Sequence, residues 1–256
     1  MQTNTNTIED IYQEILDGKR NRFPPNTWKL DRNNQLARRV TKYLVTKILN
    51  WNEEEIKQNW NNKLIAKYRL RGVLKHKYNN SPYAMINDLY PNQFKEWEFN
   101  KAPNKFWTKE KTLQALKWTI EEKEKLNLDQ LKNIYENKWL AQSGLRGACQ
   151  LYWNDSPYAM INDLYPNQFK EWEFKMTPSG FWTREKALDA LRWTIEEKEK
   201  LTDNQLLQQY TMQWLKSHRL WTPVVRYWNG SPYAMINDLY PNKYIKSSFR
   251  GYINKA

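Results

Sequence analysis

A cluster of basic side chains lies between Lys63 and Tyr78, and this stretch contains no acidic residue. Ammonium and guanidinium groups neutralise phosphates, so such a stretch favours contact with a nucleic-acid backbone. The side chains expected to contact phosphates are Lys63, Lys67, Arg69 and Lys77. A solvated basic surface without a partner is the alternative interpretation of the same stretch.

The segment that carries this cluster occurs in three versions, RLRGVLKHKYN at 69–79, GLRGACQLYWN at 144–154 and RLWTPVVRYWN at 219–229. Helical spacing places apolar residues on one face of each version, while the residue types on the opposite face differ. Arginine pairs bidentately with guanine, and glutamine suits adenine, so Arg71, Arg146, Arg226 and Gln150 are predicted to contact base edges. The full predicted nucleic-acid-binding set is Lys63, Lys67, Arg69, Arg71, Lys75, His76, Lys77, Asn79, Arg146, Gln150, Asn154, Arg219, Thr222, Arg226 and Asn229.

The surrounding pattern is typical of a helix-turn-helix, whose second helix lies in the DNA major groove. In the middle version we expect a helix from Leu128 to Leu140, a turn through Ser143-Gly144, and a second helix from Leu145 to Trp153. Gly144 suits the left-handed conformation that ends a helix. In the third version Pro223 cannot lie in a helix interior, which predicts a shorter helix with Thr222 as its N-cap.

Catalytic chemistry has little support in the sequence. Asp88, Asp163 and Asp238 recur at one position, but single acids on capped helices are usually solvated. The two histidines, His76 and His218, are not at equivalent positions, and Cys149 is the only cysteine, so no metal-ligand set is expected. No phosphate loop, nucleophile elbow or zinc-protease motif occurs. We therefore predict a non-enzymatic protein with no cofactor, no metal and no small-molecule substrate.

The elements that position these residues belong to an internal repeat. The stretch SPYAMINDLYPN occurs at 81–92, 156–167 and 231–242, each copy 75 residues after the last. In each copy the Ser-Pro pair starts a helix, and this helix ends before the second proline of the copy. Each repeat also carries a capping box farther upstream, at Asn52, Asn127 and Thr202. Helical periodicity recurs and no long alternating stretch argues for a strand. The predicted fold is all-α, with three tandem helix-turn-helix-like repeats in an elongated array.

The predicted organisation is a leader helix within 1–27, repeat 1 at 28–99, repeat 2 at 107–174 and repeat 3 at 182–256. Repeat 3 departs from the shared pattern after Pro241, as a terminal cap does. The connectors 99–106 and 174–181 each contain one proline and are flanked by tryptophans. We expect these connectors to be semi-rigid and their rings to pack neighbouring repeats together.

Charge and composition limit the classes of partner and the cellular location. The 256 residues carry a net charge of +13, with +7 in repeat 1, −1 in repeat 2 and +5 in repeat 3. This balance favours a polyanionic partner, while 15% aromatic residues favour a folded chain over a basic tail. A single cysteine indicates a reducing compartment, and no apolar stretch is long enough to span a membrane. The expected location is the cytoplasm.

The stretch SPYAMINDLYPNQFKEWEF, the proline-containing connectors followed by Phe-Trp, and the start IEDIYQEILDGKRNRFPPNTW resemble an uncharacterised tandem-repeat family of bacilli and their phages. Its units carry a similar Ser-Pro-Tyr, Tyr-Pro and Trp-Glu signature. The resemblance covers nearly the whole chain and implies the cytoplasm of a bacterial host. It carries over no activity and makes an enzyme less expected.

The leading hypothesis from the sequence is a sequence-specific double-stranded DNA-binding protein that regulates transcription in a phage or bacterium. Three helices placed one helical turn apart would contact roughly 25 to 35 base pairs. The alternative is a protein-binding adaptor or phage-encoded inhibitor of a host protein, and the second alternative is RNA binding.

Overall fold

The computed structural model describes residues 6–99 and 106–252, and in these residues every regular element is helical, as predicted. The helices up to residue 99 are α1 (Ile8–Leu16), α2 (Thr27–Leu30), α3 (Gln35–Tyr43), α4 (Glu53–Asn59), α5 (Asn62–Lys67), α6 (Arg71–Tyr78) and α7 (Pro82–Leu89). Repeat 2 contains α8 (Lys109–Trp118), α9 (Leu128–Ile134), α10 (Asn137–Gln142), α11 (Arg146–Trp153) and α12 (Pro157–Leu164). Repeat 3 contains α13 (Arg184–Trp193), α14 (Asp203–Gln209), α15 (Met212–Ser217), α16 (Trp221–Trp228) and α17 (Pro232–Leu239).

Helix starts follow the local sequence signals closely. The side chain of Asn52 accepts a hydrogen bond from the Glu55 backbone while the Glu55 carboxylate accepts from the Asn52 backbone, which completes a capping box. Repeats 2 and 3 form the same box at Asn127 and Thr202. The serine of each Ser-Pro pair also caps its helix, so these predictions are confirmed.

The predicted continuous helix from Leu128 to Leu140 is wrong, because the chain breaks between α9 and α10. Tyr135 is extended at φ −71° and ψ 100°, its ring is buried, and its hydroxyl donates to the Pro157 carbonyl at 3.1 Å. Trp60 and Tyr210 break their repeats at the same place and make the corresponding bonds to Pro82 and Pro232. Burial of one ring and its hydrogen bond therefore override helical periodicity here.

The predicted cap at Thr222 is also wrong. Helix α16 begins at Trp221, so Thr222 is its second residue and Pro223 its third. The backbone N–H groups of a first helical turn have no acceptor within the helix, so a proline at this point removes no hydrogen bond. Pro223 is accommodated without shortening the helix.

The chain forms two compact units, Met1–Phe106 and Trp107–Ala256. In the first unit α1 packs on α3, and both Ile8 and Tyr12 are buried in the core that repeat 1 provides. The Tyr12 hydroxyl donates to the Tyr68 carbonyl at 2.8 Å. The segment predicted as a leader helix is therefore part of the first unit's core.

Repeats 2 and 3 contact each other within the second unit. The Trp172 and Trp193 rings lie 6.0 Å apart, and the Arg219 guanidinium of repeat 3 donates to the Asn133 side chain of repeat 2 at 2.8 Å. In the connector, the Lys175 backbone N–H donates to the Lys132 carbonyl of repeat 2 at 2.9 Å. These contacts agree with the packing role predicted for the connector 174–181. The matching prediction for the connector 99–106 falls mostly on residues outside the described part. No helix among the described residues has the length and apolarity needed to cross a lipid bilayer.

Candidate nucleic-acid interface

The helices α6, α11 and α16 each bury one face, as their spacing predicts. The buried residues on these faces are Leu70, Val73, Leu74 and Tyr78 in repeat 1, with Leu145, Ala148, Cys149 and Trp153 in repeat 2 and Leu220, Pro223, Val224 and Trp228 in repeat 3. The three helices therefore share one packed frame and differ on their outer faces.

In repeat 1 the outer surface is basic. Lys63 and Lys67 are exposed on α5, and Arg71 and Lys75 are exposed on α6. Between the two helices lies Arg69, whose left-handed backbone (φ +62°) forms the turn where repeat 2 has Gly144 at +73°. The structure thus brings five of the predicted phosphate- and base-contacting residues onto two consecutive helices and the turn between them.

Lys77, which is predicted to contact a phosphate, makes a hydrogen bond within the chain. Its Nζ donates to the Asp31 carbonyl at 2.8 Å, and its side chain is half-buried. At the same position of repeats 2 and 3, the Tyr152 and Tyr227 hydroxyls donate to the carbonyls of Trp107 and Trp182. We call this side-chain-to-backbone bond the latch, because it fixes the segment that precedes α3, α8 or α13.

The three asparagines of the predicted set end their helices. Asn79, Asn154 and Asn229 adopt left-handed backbones at φ +48°, +50° and +48° and serve as C-caps of α6, α11 and α16. Asparagine tolerates this conformation better than most residues. Their recurrence is explained by helix termination, whether or not they contact bases.

A groove of about 640 Å³ lies in the first unit between α6 and residues 21–29. Its charged lining residues, among those described, are all basic, namely Arg22, Lys29 and Arg69, and His76 also lines it. A β-carbon at Gly72 would lie 3.7 Å from the Trp28 indole nitrogen, so this part of the outer face is partly covered. Arg22 and Lys29 were not predicted as site residues, because only the long-range packing of residues 21–29 brings them to α6.

The second unit has a smaller groove of about 260 Å³ at the corresponding face of α16. Lys175, Lys216 and Arg219 supply its charged lining among the described residues, and Thr222 and three tryptophans also line it. Arg219, left-handed at φ +61°, occupies the position of Arg69. Both grooves therefore combine basic side chains with indole rings.

Arg219 is less available than predicted. Its Nη2 donates to the Asn133 side chain of repeat 2 at 2.8 Å, and burial lowers the pKa of its guanidinium. Trp172, another lining residue, has an indole Nε1–H that is buried without a hydrogen-bond partner among the described residues. A ligand with acceptor oxygens would satisfy that donor.

The remaining predicted contacts lie on a more apolar surface. Gln150 is exposed on α11, while Arg146 pairs with Asp155 at 3.3 Å. Leu151 on α11 is 68% exposed, and Val225 on α16 is 47% exposed. Arg226 is exposed beside Val225 and lies 5.4 Å from the Tyr227 ring centre. Repeats 2 and 3 thus present mixed rather than uniformly basic outer faces.

The recurring aspartates contact neighbouring helices. Asp163 accepts from the Trp153 indole at 2.8 Å and pairs with Lys109 at 2.6 Å. Asp238 makes the same pair of contacts with Trp228 and Arg184, and Asp88 does so with Tyr78 and Arg38. Among the described residues no group of three His, Cys, Asp or Glu side chains is arranged to hold a metal ion.

Comparison with known proteins gives a family but no activity. No curated protein and no solved structure matches the chain. A profile described as a protein of unknown function (DUF4046) matches residues 8–95 and 167–245, which together span more than half of the chain. The first match begins at α1, in agreement with the burial of that helix in the core. The chain therefore belongs to the DUF4046 family, and the family's region occurs in it twice.

Proposed function

We propose that this protein binds double-stranded DNA sequence-specifically and regulates transcription. The observation that carries the proposal is the outer surface of α5 and α6, where Lys63, Lys67, Arg69, Arg71 and Lys75 are exposed in a segment without acidic residues. Cations on consecutive helices follow phosphates along a duplex, and a helix of this size fits the major groove.

Each unit has a groove with further cations. Arg22 and Lys29 add cations next to Arg69, and Lys175 and Lys216 do so next to Arg219. Backbone contacts position a protein on DNA, whereas contacts to base edges give specificity. We assign the groove residues to the first role, and Arg71, Arg146, Gln150 and Arg226 to the second.

The biological setting is part of the same proposal. The Ser-Pro-Tyr, Tyr-Pro and Trp-Glu signature resembles repeats of bacilli and their phages, and we place the protein in the cytoplasm of such a host. A regulator of this kind needs no cofactor, no metal and no catalytic residue.

The test is binding to a pool of random duplex DNA over a salt series, followed by sequencing of the bound fragments. The double variant R71A/K75A is expected to lower the affinity at least about tenfold and to reduce the slope of log affinity against log salt by about one per lost phosphate contact. The variant K42A/K47A removes two exposed cations of the same unit from α3 and the turn that follows it, and is expected to change binding little.

Two results would refute the proposal. One is a wild-type affinity for duplex DNA that does not depend on salt. The other is equal loss in R71A/K75A and K42A/K47A, because net charge alone would then explain the binding. Preference for single strands or structured RNA over duplex DNA would instead support the RNA-binding alternative.

A protein-binding adaptor, such as an inhibitor of a host protein, is the second candidate. Leu151 and Val225 are exposed on the outer faces of α11 and α16. The DNA-binding proposal gives these aliphatic side chains no role, whereas exposed apolar side chains are typical of protein interfaces. The variant L151S/V225S is expected to leave DNA binding unchanged under the first proposal, and to abolish co-purification of a host protein under the second.

A further inference from the structure

A cavity of about 300 Å³ opens in repeat 2 and shares Phe174 and Thr177 with the smaller basic groove. Its walls include the rings of Tyr135, Tyr158 and Phe174. Three acidic residues also line it, Glu136, Asp155 and Glu171, against one basic residue, Lys138. The cavity is therefore aromatic and acidic in a protein whose other grooves are basic.

Repeat 3 contains the same arrangement of three rings, which we call the aromatic frame. Tyr135 and Tyr158 lie 5.7 and 6.3 Å from Phe174 between ring centres. Their counterparts 75 residues later, Tyr210 and Tyr233, lie 5.7 and 6.3 Å from Phe249. The contacts of the aromatic frame in repeat 3 can therefore be compared directly with those in repeat 2.

In repeat 3 a tyrosine of the chain itself contacts this frame. The Tyr233 backbone N–H donates to the Tyr252 hydroxyl at 3.2 Å, and the two rings are 6.4 Å apart. The Lys246 ammonium lies 5.1 Å from the centre of the Tyr252 ring. The position of Tyr252 is taken in repeat 2 by Thr177, whose side chain is too small to replace a ring. The corresponding residue of repeat 1 lies outside the described part.

The charges around the frame differ between the repeats. Glu136, Asp155 and Glu171 stand where repeat 3 has Thr211, Gly230 and Lys246. In repeat 2 the Oδ1 atoms of Asn137 and Asp155 are buried without hydrogen-bond partners among the described residues. Burial raises the pKa of Glu171 despite the opposing charge of Lys186. A cation that donates hydrogen bonds would serve Glu171 and the Oδ1 atom of Asp155, whose Oδ2 atom pairs with Arg146.

We propose that this cavity binds a tyrosine side chain of another polypeptide, presented next to a lysine or arginine. The ring takes the place that Tyr252 has in repeat 3, and its hydroxyl accepts from the Tyr158 backbone N–H. The neighbouring cation contacts Asp155 and Glu171. This site borders the smaller basic groove, and its ligand is a basic protein segment.

The probe is the peptide acetyl-Arg-Gly-Tyr-amide, which copies residues 250–252, titrated into the 256-residue chain by calorimetry or NMR. We expect saturable binding, with binding at least about tenfold weaker for Glu-Gly-Tyr, because the cation is replaced by an anion, and none for Arg-Gly-Ala. The variant T177Y is expected to lose the site, because its own ring fills the cavity, and to melt at a higher temperature.

The variant D155N/E171Q keeps the shapes of both side chains and is expected to bind the peptide at least about tenfold more weakly. Its backbone is compatible, because repeat 1 has Asn80 at the position of Asp155 with the same left-handed conformation. The control E185Q/E197Q makes the same charge change on exposed residues of repeat 3 and is expected to bind like wild type. Absence of saturable binding to wild type, or unchanged binding in D155N/E171Q, would overturn the proposal.

Discussion

The aspartate of the Ser-Pro helix joins three helices through one side chain. In repeat 2, Asp163 on α12 accepts from Trp153 on α11 and pairs with Lys109 on α8. A carboxylate suits this position because its Oδ2 atom accepts from both donors and carries a negative charge opposite Lys109, which an amide lacks. The same arrangement in repeats 1 and 3 explains the recurrence of this residue without any catalytic role.

At the residue scale we predict the effect of removing this charge. Asp163→Asn is expected to lower the free energy of unfolding by about 1 kcal/mol at pH 7, because one charged acceptor serves two donors and is partly exposed. The Lys109 ammonium, followed by the Trp153 indole, holds the pKa of Asp163 below its usual value. A lowered pKa stabilises the fold above the unfolded-state value of about 4, and this stability is lost as the pH falls through the folded-state value.

Urea unfolding of wild type and variant at several pH values checks this expectation. The difference should be present at pH 7 and should narrow below about pH 4. Asp189→Asn is the matched control, because among the described residues Asp189 pairs with Arg192 on the surface of its own helix, and its loss should cost little. A larger effect in the control than in Asp163→Asn would contradict the assignment.

At the scale of elements, every repeat uses a left-handed residue between its six-residue helix, which is α5, α10 or α15, and the next helix, which is α6, α11 or α16. We call this next helix the outer-face helix. Gly144 signals this turn in the sequence, whereas Arg69 and Arg219 adopt the same backbone without any such signal. The break at Tyr135 has no capping signal in repeat 2, although Asn61 and Thr211 cap the next helix at the matching position of repeats 1 and 3. Caps and proline stops were predictable because they depend on neighbours in sequence; these turns and breaks depend on tertiary packing.

Two glycines three residues apart allow a paired prediction. Gly144→Ala is expected to destabilise the protein by about 1 kcal/mol, since its φ of +73° disfavours any β-carbon. Gly147→Ala is expected to stabilise it by about 0.5 kcal/mol, because Gly147 is inside α11 and a β-carbon there meets nothing within 4 Å. Thermal melts of the two single variants measure both signs. Equal shifts in one direction would refute the role of the turn.

At the scale of the whole molecule, charge is distributed unevenly among repeats that share one frame. Repeat 1 carries +7 and repeat 2 carries −1, and Arg146 of repeat 2 is paired with Asp155. The repeat pattern and its helices could be predicted from the sequence, because identical stretches and caps identify them. The grooves could not, because residues 21–29 and 172–182 reach the outer-face helices only through folding.

This distribution predicts unequal effects of equivalent substitutions. Arg71→Ala is expected to weaken binding to the preferred DNA sequence by about 1–3 kcal/mol and to relax specificity there, and Arg146→Ala by less than half as much, because Arg146 is already paired with Asp155. Fluorescence anisotropy of labelled preferred and mismatched duplexes measures both losses. Equal losses in the two variants would show that the repeats contribute alike.

The latch has a consequence for how such proteins diversify. The latch is made by Lys77, Tyr152 and Tyr227, and it holds the backbone that precedes α3, α8 and α13. The helix with the variable outer face therefore also fixes the start of its own repeat. A gene duplication that copies one repeat therefore copies its anchor as well. The exposed positions beside the anchor are then free to acquire new recognition properties, while the inherited scaffold keeps its structure.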